Sequence, residues 1–251
     1  MKVALIQSLS GKTKLESLDY FSTVLKGYEV DKLDVICLPE LWYNRVVKDF
    51  EEEFPDLLQL AKEKNSIVIS GAFFERIEGD LFISCPVISK KGKILGRQLK
   101  IHPFGSQAKK VNSGKTVEIF NFGKFKSGVV ICYDLVFPEV SRVLALKGAD
   151  ILFFPSKIIT EGIKPWHTYI QARALENRIP VVAPNICGKP YGGQSILVDF
   201  NYIKKHDIAL AKVKKLAPNP HKYVTTIDLE TCQQIRKHRF RDLKLDLYHS
   251  L

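Results

Sequence analysis

Three segments of this chain end a run of β-forming residues on a side chain able to do chemistry: Val35-Ile-Cys-Leu-Pro-Glu40, Gly96-Arg-Gln-Leu-Lys100 and Val129-Val-Ile-Cys132. In α/β proteins the end of a buried strand, just before a turn or helix, is where reactive groups are held. Backbone N–H groups at such a junction are free to stabilise a developing oxyanion, so Cys132, followed by Tyr133 and Asp134, suits a nucleophile. Glu40 precedes Trp42 and Tyr43, and apolar neighbours raise a carboxylate's pKa toward that of a general base. Lys100 closes a strand before the Pro103-Phe-Gly105 loop. Each position also has a plain structural reading. A free cysteine usually acts as a small buried hydrophobe, a glutamate after a strand as a loop acid, and a lysine before a loop as a surface charge.

The elements that must position these groups alternate along the whole chain. Strand patterns cover Val3–Gln7, Leu33–Leu38, Ile67–Phe73, Leu81–Ile88, Ile94–Leu99, Thr116–Phe122, Phe125–Ile131, Asp150–Phe154, Ile179–Ala183, Gln194–Asp199, Ile208–Val213 and Tyr223–Ile227. Helical spacing covers Leu15–Tyr28, Glu51–Lys64, Pro138–Lys147, Pro165–Asn177 and Leu229–Ile235. Acids open and lysines close the Glu51–Lys64 segment, as the helix dipole favours. Ser89–Lys93 is a polar hairpin turn, and Gly123-Lys124 a tight one. Mixed hairpins and crossover helices predict an α/β fold of two sheets with helices outside. No linker, repeat or low-complexity tract interrupts residues 1–251, so a single domain is expected, with a charged tail over 236–251 packing on the body or on a partner subunit.

At 251 residues the chain can bury a full core, and 45% hydrophobic with 26% charged residues is ordinary for a globular protein. No apolar run approaches the ~20 residues needed to span a bilayer, and the N-terminus opens on a strand pattern without a secretory signature. A cytoplasmic protein without membrane association is the expectation. The five cysteines (Cys37, Cys85, Cys132, Cys187, Cys232) lack framework or zinc spacing, which predicts reduced thiols and no metal. The net charge of +11 raises nucleic acid as a partner. The lysines are dispersed, however, and no helix-turn-helix, zinc-finger or RNA-binding aromatic pattern is present, so nucleic-acid binding is disfavoured.

Taken together, the three junctions resemble the nitrilase, or carbon–nitrogen hydrolase, superfamily. The resemblance covers nearly the whole length through Val3-Ala-Leu-Ile-Gln7, Leu38-Pro-Glu-Leu-Trp42, Leu99-Lys-Ile-His102, Ile131-Cys-Tyr-Asp134 with Phe137-Pro-Glu139, Ala172-Arg-Ala-Leu-Glu-Asn177, Gly193-Gln-Ser195 with Asp199, and Asp246-Leu-Tyr248. It implies a four-layer αββα sandwich and a Glu40, Lys100, Cys132 catalytic set. The Tyr133 N–H and Lys100 would stabilise the oxyanion. No metal or organic cofactor is implied, and a homodimer or higher homo-oligomer is. The short chain and the Cys-Tyr-Asp context look most like the ω-amidase-like members, which implies a dicarboxylic acid monoamide as substrate and water as co-substrate. N-carbamoyl amine or aliphatic amide hydrolysis, a catalytically weak homologue acting as a binding protein, and a basic nucleic-acid-binding module are the alternatives.

The chain departs from the family pattern at two places. Gln107 stands where the family often has a second glutamate, so a neutral amide would position substrate there. Val136 stands where amidase-like members often have arginine. Trp42, Tyr43, Phe104, Ser156, Lys157 and Trp166 are candidates for the pocket wall, against a default of aromatic core packing. His102, Asp134, Glu139 and an Arg173–Glu176 pair are expected to support the structure.

Overall fold

The computed structural model describes residues 1–10, 13–26 and 33–248. In chain order the elements are β1 (Lys2–Leu9), α1 (Lys14–Lys26), β2 (Val35–Cys37), β3 (Val46–Val47), α2 (Phe50–Glu53), α3 (Pro55–Glu63), β4 (Ile67–Ile69), β5 (Phe73–Ile77), β6 (Asp80–Ile88), β7 (Ile94–Leu99), β8 (Ile119–Asn121) and β9 (Lys126–Val129). Then come α4 (Pro138–Leu146), β10 (Ile151–Phe153), α5 (Ile163–Asn177), β11 (Val181–Ala183), β12 (Ile186–Gly188), β13 (Tyr191–Gly192), β14 (Ile196–Ile203), β15 (Ile208–Lys215), β16 (His221–Thr226), α6 (Leu229–Arg241) and α7 (Leu245–Tyr248).

The strands form two mixed sheets. The first runs β13-β12-β1-β2-β4-β6-β5-β3, with β16 also on β1 and β7 also on β6; the second runs β15-β14-β11-β10-β9-β8. Side chains alternate across each strand, and the core follows that period. Val3 and Leu5 of β1, with Ile151 and Phe153 of β10, enter one cluster between the sheets. Ala4 and Ile6 turn the other way, onto Leu18, Phe21 and Leu25 of α1 and Leu57 and Ala61 of α3. Leu152 and Phe154 turn onto Leu144 of α4, Trp166 and Ile170 of α5, and Ile235 of α6. Each large apolar side chain removed from water in this way contributes ~1.5–3 kcal/mol. The result is the expected αββα sandwich.

Several boundaries differ from the sequence expectation for identifiable reasons. The helix over Glu51–Lys64 is two helices, because Pro55 opens α3 after Phe54 while the Asp49 side chain caps α2. The strand over Ile67–Phe73 ends at Ile69, and β5 begins at Phe73. Between them Gly71 has φ +80, and a Cβ there would lie 2.1 Å from the Pro39 carbonyl oxygen. The strand over Thr116–Phe122 shortens to Ile119–Asn121, since the Gln98 carboxamide donates to Thr116 O and accepts from Glu118 N in place of a ladder partner. β3, β12 and β13 are too short to register as periodic runs. α6 continues past Ile235 to Arg241, so the charged tail begins as helix: Arg236 is buried and pairs with Asp150 at 2.7 Å, and Phe240 packs on the core. Tyr28 and the end of the tail at 249–251 lie outside the described residues.

Candidate active site

The three strand-end residues converge. Glu40 sits three residues beyond β2, where Leu38 N donates to Ile69 O, Leu41 N to Ala72 O and Glu40 N to Ser156 O at 3.3 Å. That last bond ties the end of one sheet to the end of the other. Lys100 follows β7, with its N–H on Ile83 O and its carbonyl accepting from Gly114 N, both at 2.8 Å. Cys132 follows β9 with φ +47, a left-handed conformation that a non-glycine residue adopts at a cost of ~1–3 kcal/mol when its surroundings hold it there. Its N–H donates to Pro155 O at 3.0 Å, and a 3-10 turn over Cys132–Val136 leads into α4.

Lys100 Nζ lies 2.7 Å from Glu40 Oε1, with each residue 1% exposed. Burial by itself would lower the Lys100 ammonium's pKa, yet the Glu40 charge beside it leads the influences that outweigh burial and hold it above the ordinary lysine value. The Cys132 thiol, 8% exposed as a residue, is pushed up to about 12, first by burial and then by the Glu40 carboxylate facing it. The Lys100 charge and the Lys157 backbone N–H act in the opposite direction. The resting sulfur is therefore a thiol beside a carboxylate acceptor, with a cation and an N–H placed to favour it once the proton leaves.

Gln107 joins this group. Its Oε1 accepts from Lys100 Nζ at 3.2 Å and from Phe104 N at 3.1 Å. Both neighbours are donors, so the carbonyl end of the amide faces the lysine and supplies a dipole where a glutamate would supply charge. Asp134 Oδ1 accepts from His102 N at 2.7 Å and lies 2.9 Å from His102 Nδ1, and its Oδ2 accepts from Ile101 N at 3.2 Å. This stitches the loop after Lys100 to the turn after Cys132. His102 stacks on Phe137 at 3.7 Å. Arg173 of α5 holds the same turn from below, donating to Leu135 O and Val136 O at 2.9 Å each while reaching Glu176 at 3.3 Å. At Val136 it is therefore the backbone carbonyl, not a side-chain charge, that is tied down.

The pocket candidates separate. Phe104, 60% exposed, leans on Tyr133 with ring centroids 4.7 Å apart, and Tyr133 meets Phe137 edge-on. These aromatics stand on the loops that carry Lys100 and Cys132. Trp42 instead packs against Phe21, Phe54 and Phe73 in the layer outside the first sheet, donating Nε1–H to Ser70 O, and Tyr43 joins that cluster through Phe54. Trp166 is buried under the second sheet's helices. Trp42 and Trp166 are therefore core, and Tyr43 packs half-buried on that core: the chain turns at Leu41, φ +50, just after Glu40 and carries the next residues into the outer layer. Ser156 is buried with its hydroxyl on Phe154 O. Lys157 offers the site its N–H, while its ammonium lies over the Tyr191 ring at 4.9 Å.

Sequence reasoning passed over Asn185. This buried residue accepts from Ile158 N at 2.8 Å and donates to Gly193 O at 2.7 Å. The available signal was a polar side chain inside the apolar run from Pro180 to Cys187. Among the described residues no cluster of histidine, cysteine and acids has metal-binding geometry, all five cysteines are free and buried, and no helix is long and apolar enough to cross a membrane.

Comparison with known proteins places this arrangement in context. The sequence model of a family described as carbon-nitrogen hydrolase matches residues 2–237. A hydrolase in the agr operon of Staphylococcus lugdunensis is 30% identical over 224 residues, covering 81% of this chain and 91% of that one. The omega-amidase NIT2 of Xenopus tropicalis is 27% identical over 199 residues, 72% of each chain. Among solved structures, a carbon-nitrogen hydrolase from Helicobacter pylori G27 superposes with a TM-score of 0.83 at 23% identity, over 100% of this chain and 97% of that one. A mutant of the amidase from Nesterenkonia sp. AN1, bearing the acetamide moiety of fluoroacetamide on its active site cysteine, superposes with a TM-score of 0.78 at 18% identity, covering 100% and 96%. With strand-end residues converging as described and a family match over nearly its whole length, this chain belongs to the carbon–nitrogen hydrolase family.

Proposed function

We propose that the protein is an amidase that hydrolyses a small non-peptide amide through a thioester on Cys132. The observation that carries this reading is the buried meeting of Glu40, Lys100 and Cys132. As Sγ bonds to the amide carbon, the thiol proton passes to the Glu40 carboxylate, so no free thiolate has to accumulate from a thiol held near 12. Charge moves onto the carbonyl oxygen, where the Lys100 ammonium and the Tyr133 N–H receive it. Glu40 returns the proton to the leaving nitrogen as the C–N bond breaks, releasing ammonia or an amine. Water then loses a proton to Glu40 and attacks the thioester, and the sulfur leaves with that proton. The products are a carboxylic acid and the freed amine, and the enzyme returns to its starting state.

A dicarboxylic acid monoamide is the leading substrate, supported by the relatives named omega-amidase and by Gln107, whose neutral amide spares an anionic acyl chain a second carboxylate beside Lys100. N-carbamoyl amines and simple aliphatic amides are the competing substrates. The working unit is a homodimer, supported by the exposed apolar side chains Val143 and Leu146 on α4 and Tyr169 and Leu175 on α5; mass in solution checks it.

The test is ammonia release from a panel of these amides, with intact mass measured after rapid acid quench. A mass increment on Cys132 equal to the acyl group names both the intermediate and the substrate. A folded protein that releases no ammonia and gains no mass across the panel would instead be a binding protein built on this scaffold.

A further inference from the structure

The segment Pro155-Ser-Lys-Ile158, which follows β10, touches the nucleophile and the base at once. Pro155 O accepts from Cys132 N, and Ser156 O accepts from Glu40 N. The Lys157 backbone N–H favours the ionised form of the Cys132 sulfur. Two successive carbonyls of this segment thus tie Cys132 and Glu40, which come from different sheets, to one piece of backbone. The first half is anchored by its own peptide groups, since Ser156 N donates to Pro184 O at 3.0 Å and Ser156 bridges Asn185 in parallel. Beyond Ser156 the ladder stops, and the conformation of Lys157 and Ile158 depends on what grips Ile158.

That grip is one side chain, helped by one peptide N–H. Asn185 Oδ1 accepts from Ile158 N at 2.8 Å, and its Nδ2 donates to Gly193 O at 2.7 Å with a longer 3.5 Å approach to Ile158 O. Gly192 N also donates to Ile158 O. Asn185 is itself pinned, because its N–H donates to Ser195 Oγ at 2.8 Å. Ser195 N donates to Gln7 Oε1 at 2.7 Å, and Gln7 Nε2 donates to Ala217 O and Asn219 O. Asn185, Ser195 and Gln7 are all fully buried. A buried network with every member bonded rigidifies what it holds.

We propose that Asn185 is a positioning residue for the nucleophile: by clamping Ile158 it fixes the Lys157 peptide within the segment that bonds Cys132 N and Glu40 N. This rests on the hydrolase reading of the site. The side chain must accept and donate on opposite ends, which only an amide of this length does here. Aspartate would keep the bond from Ile158 N but turn an anion toward Gly193 O.

The experiment follows Cys132 by peptide mass during iodoacetamide alkylation across pH 7–11, for the wild type, Asn185→Asp and Asn185→Ala, beside kcat and KM on the best amide of the panel. Glu40 and Lys100 face the sulfur and stay unchanged in all three. The expected result is an alkylation profile displaced upward by about one pH unit in both variants, hence about tenfold slower reaction at fixed pH. A kcat fall of at least that size with KM nearly unmoved should accompany it. A residue that only supports the fold would lower the melting temperature and leave the profile where it was, and that result overturns the proposal. If neither Asn185 variant accumulates folded, Ser195→Ala loosens Asn185 by one bond and decides the question by the same profile: a smaller upward displacement supports the proposal, and an unmoved profile overturns it. Alkylation needs no substrate, so an inactive wild type would sink the hydrolase reading while leaving this measurement readable.

Discussion

Cys132, just past a strand, and Cys187, within one, are both buried thiols, and only Cys132 has the surroundings proposed for a nucleophile. Cys187 lies in β12 beside a cavity of about 440 Å³ lined by Ser8, Leu9, Tyr20, Gly188 and Lys189. Its thiol is raised to about 11 by burial, with its own backbone N–H as the opposing influence. Cys132 has φ +47, a carboxylate acceptor, an ammonium and a second backbone N–H from Lys157. Proximity to a cavity therefore says little about a cysteine. Groups placed to take its proton and to receive charge are what distinguish a nucleophile from a small hydrophobe.

The comparison is broken most directly by exchanging the two thiols for alanine. Cys132→Ala should lower ammonia release on the order of 10⁴-fold or more, whereas Cys187→Ala should leave kcat and KM at their wild-type values; equal effects would erase the distinction. Next in size is Lys100→Met, which removes the proposed oxyanion partner and strands a buried carboxylate. It should cost ~10²–10³ in kcat and ~3–5 kcal/mol in stability, read from steady-state kinetics and urea unfolding of the same preparation.

Gln107→Glu sharpens the comparison from the other side. A carboxylate 3.2 Å from Lys100 Nζ would offset the positive charge that favours the thiolate. The Cys132 alkylation profile should then move to higher pH by a few tenths of a unit, while Cys187 stays where it was. A downward shift would mean that the neutral amide does not set the site's charge.

One further effect is shared by both thiols. Burial, the leading cause in each, holds Cys132 to about 12, Cys187 to about 11 and the Tyr20 hydroxyl to about 12, against ordinary values of 9.0, 9.0 and 10.0. Raised folded-state values mean that the unfolded chain loses these protons first. Their contribution to stability is thus complete below about pH 9 and declines as pH rises from there through the folded values. Urea midpoints measured at intervals from pH 7 to 11 should be level at first and then fall; a midpoint that rises above pH 9 would contradict the burial described.

Much of this was legible in one dimension because it follows from local rules. Alternating apolar residues announced the strands, and the Val129-Val-Ile131 run leading into Cys132 announced a strand-end thiol. Other features depend on a partner remote in sequence. Trp42 and Tyr43 follow Glu40 in the chain yet occupy a separate layer, since the chain turns at Leu41, φ +50, between them. Gln98 replaces a strand partner for residues 116–118, and Asn185 grips Ile158; neither pairing has a periodic signature. The Glu51–Lys64 segment carried a strong helical pattern, and Phe54-Pro55 divided it all the same.

The amino-acid sequence by itself determined the layered α/β class and the ordered appearance of a carboxylate, an ammonium and a thiol at strand ends. Periodicity and residue type act over a few neighbours and need no knowledge of the rest of the chain. Only the tertiary structure decided that Lys100 Nζ meets Glu40 at 2.7 Å, that Gln107 presents its carbonyl to that lysine, and that the backbone after β10 bonds both Glu40 and Cys132. The first two arise among the segments that follow β2 and β7 of one sheet and the third where the two sheets meet, and hydrogen bonds between separate segments of the chain set them.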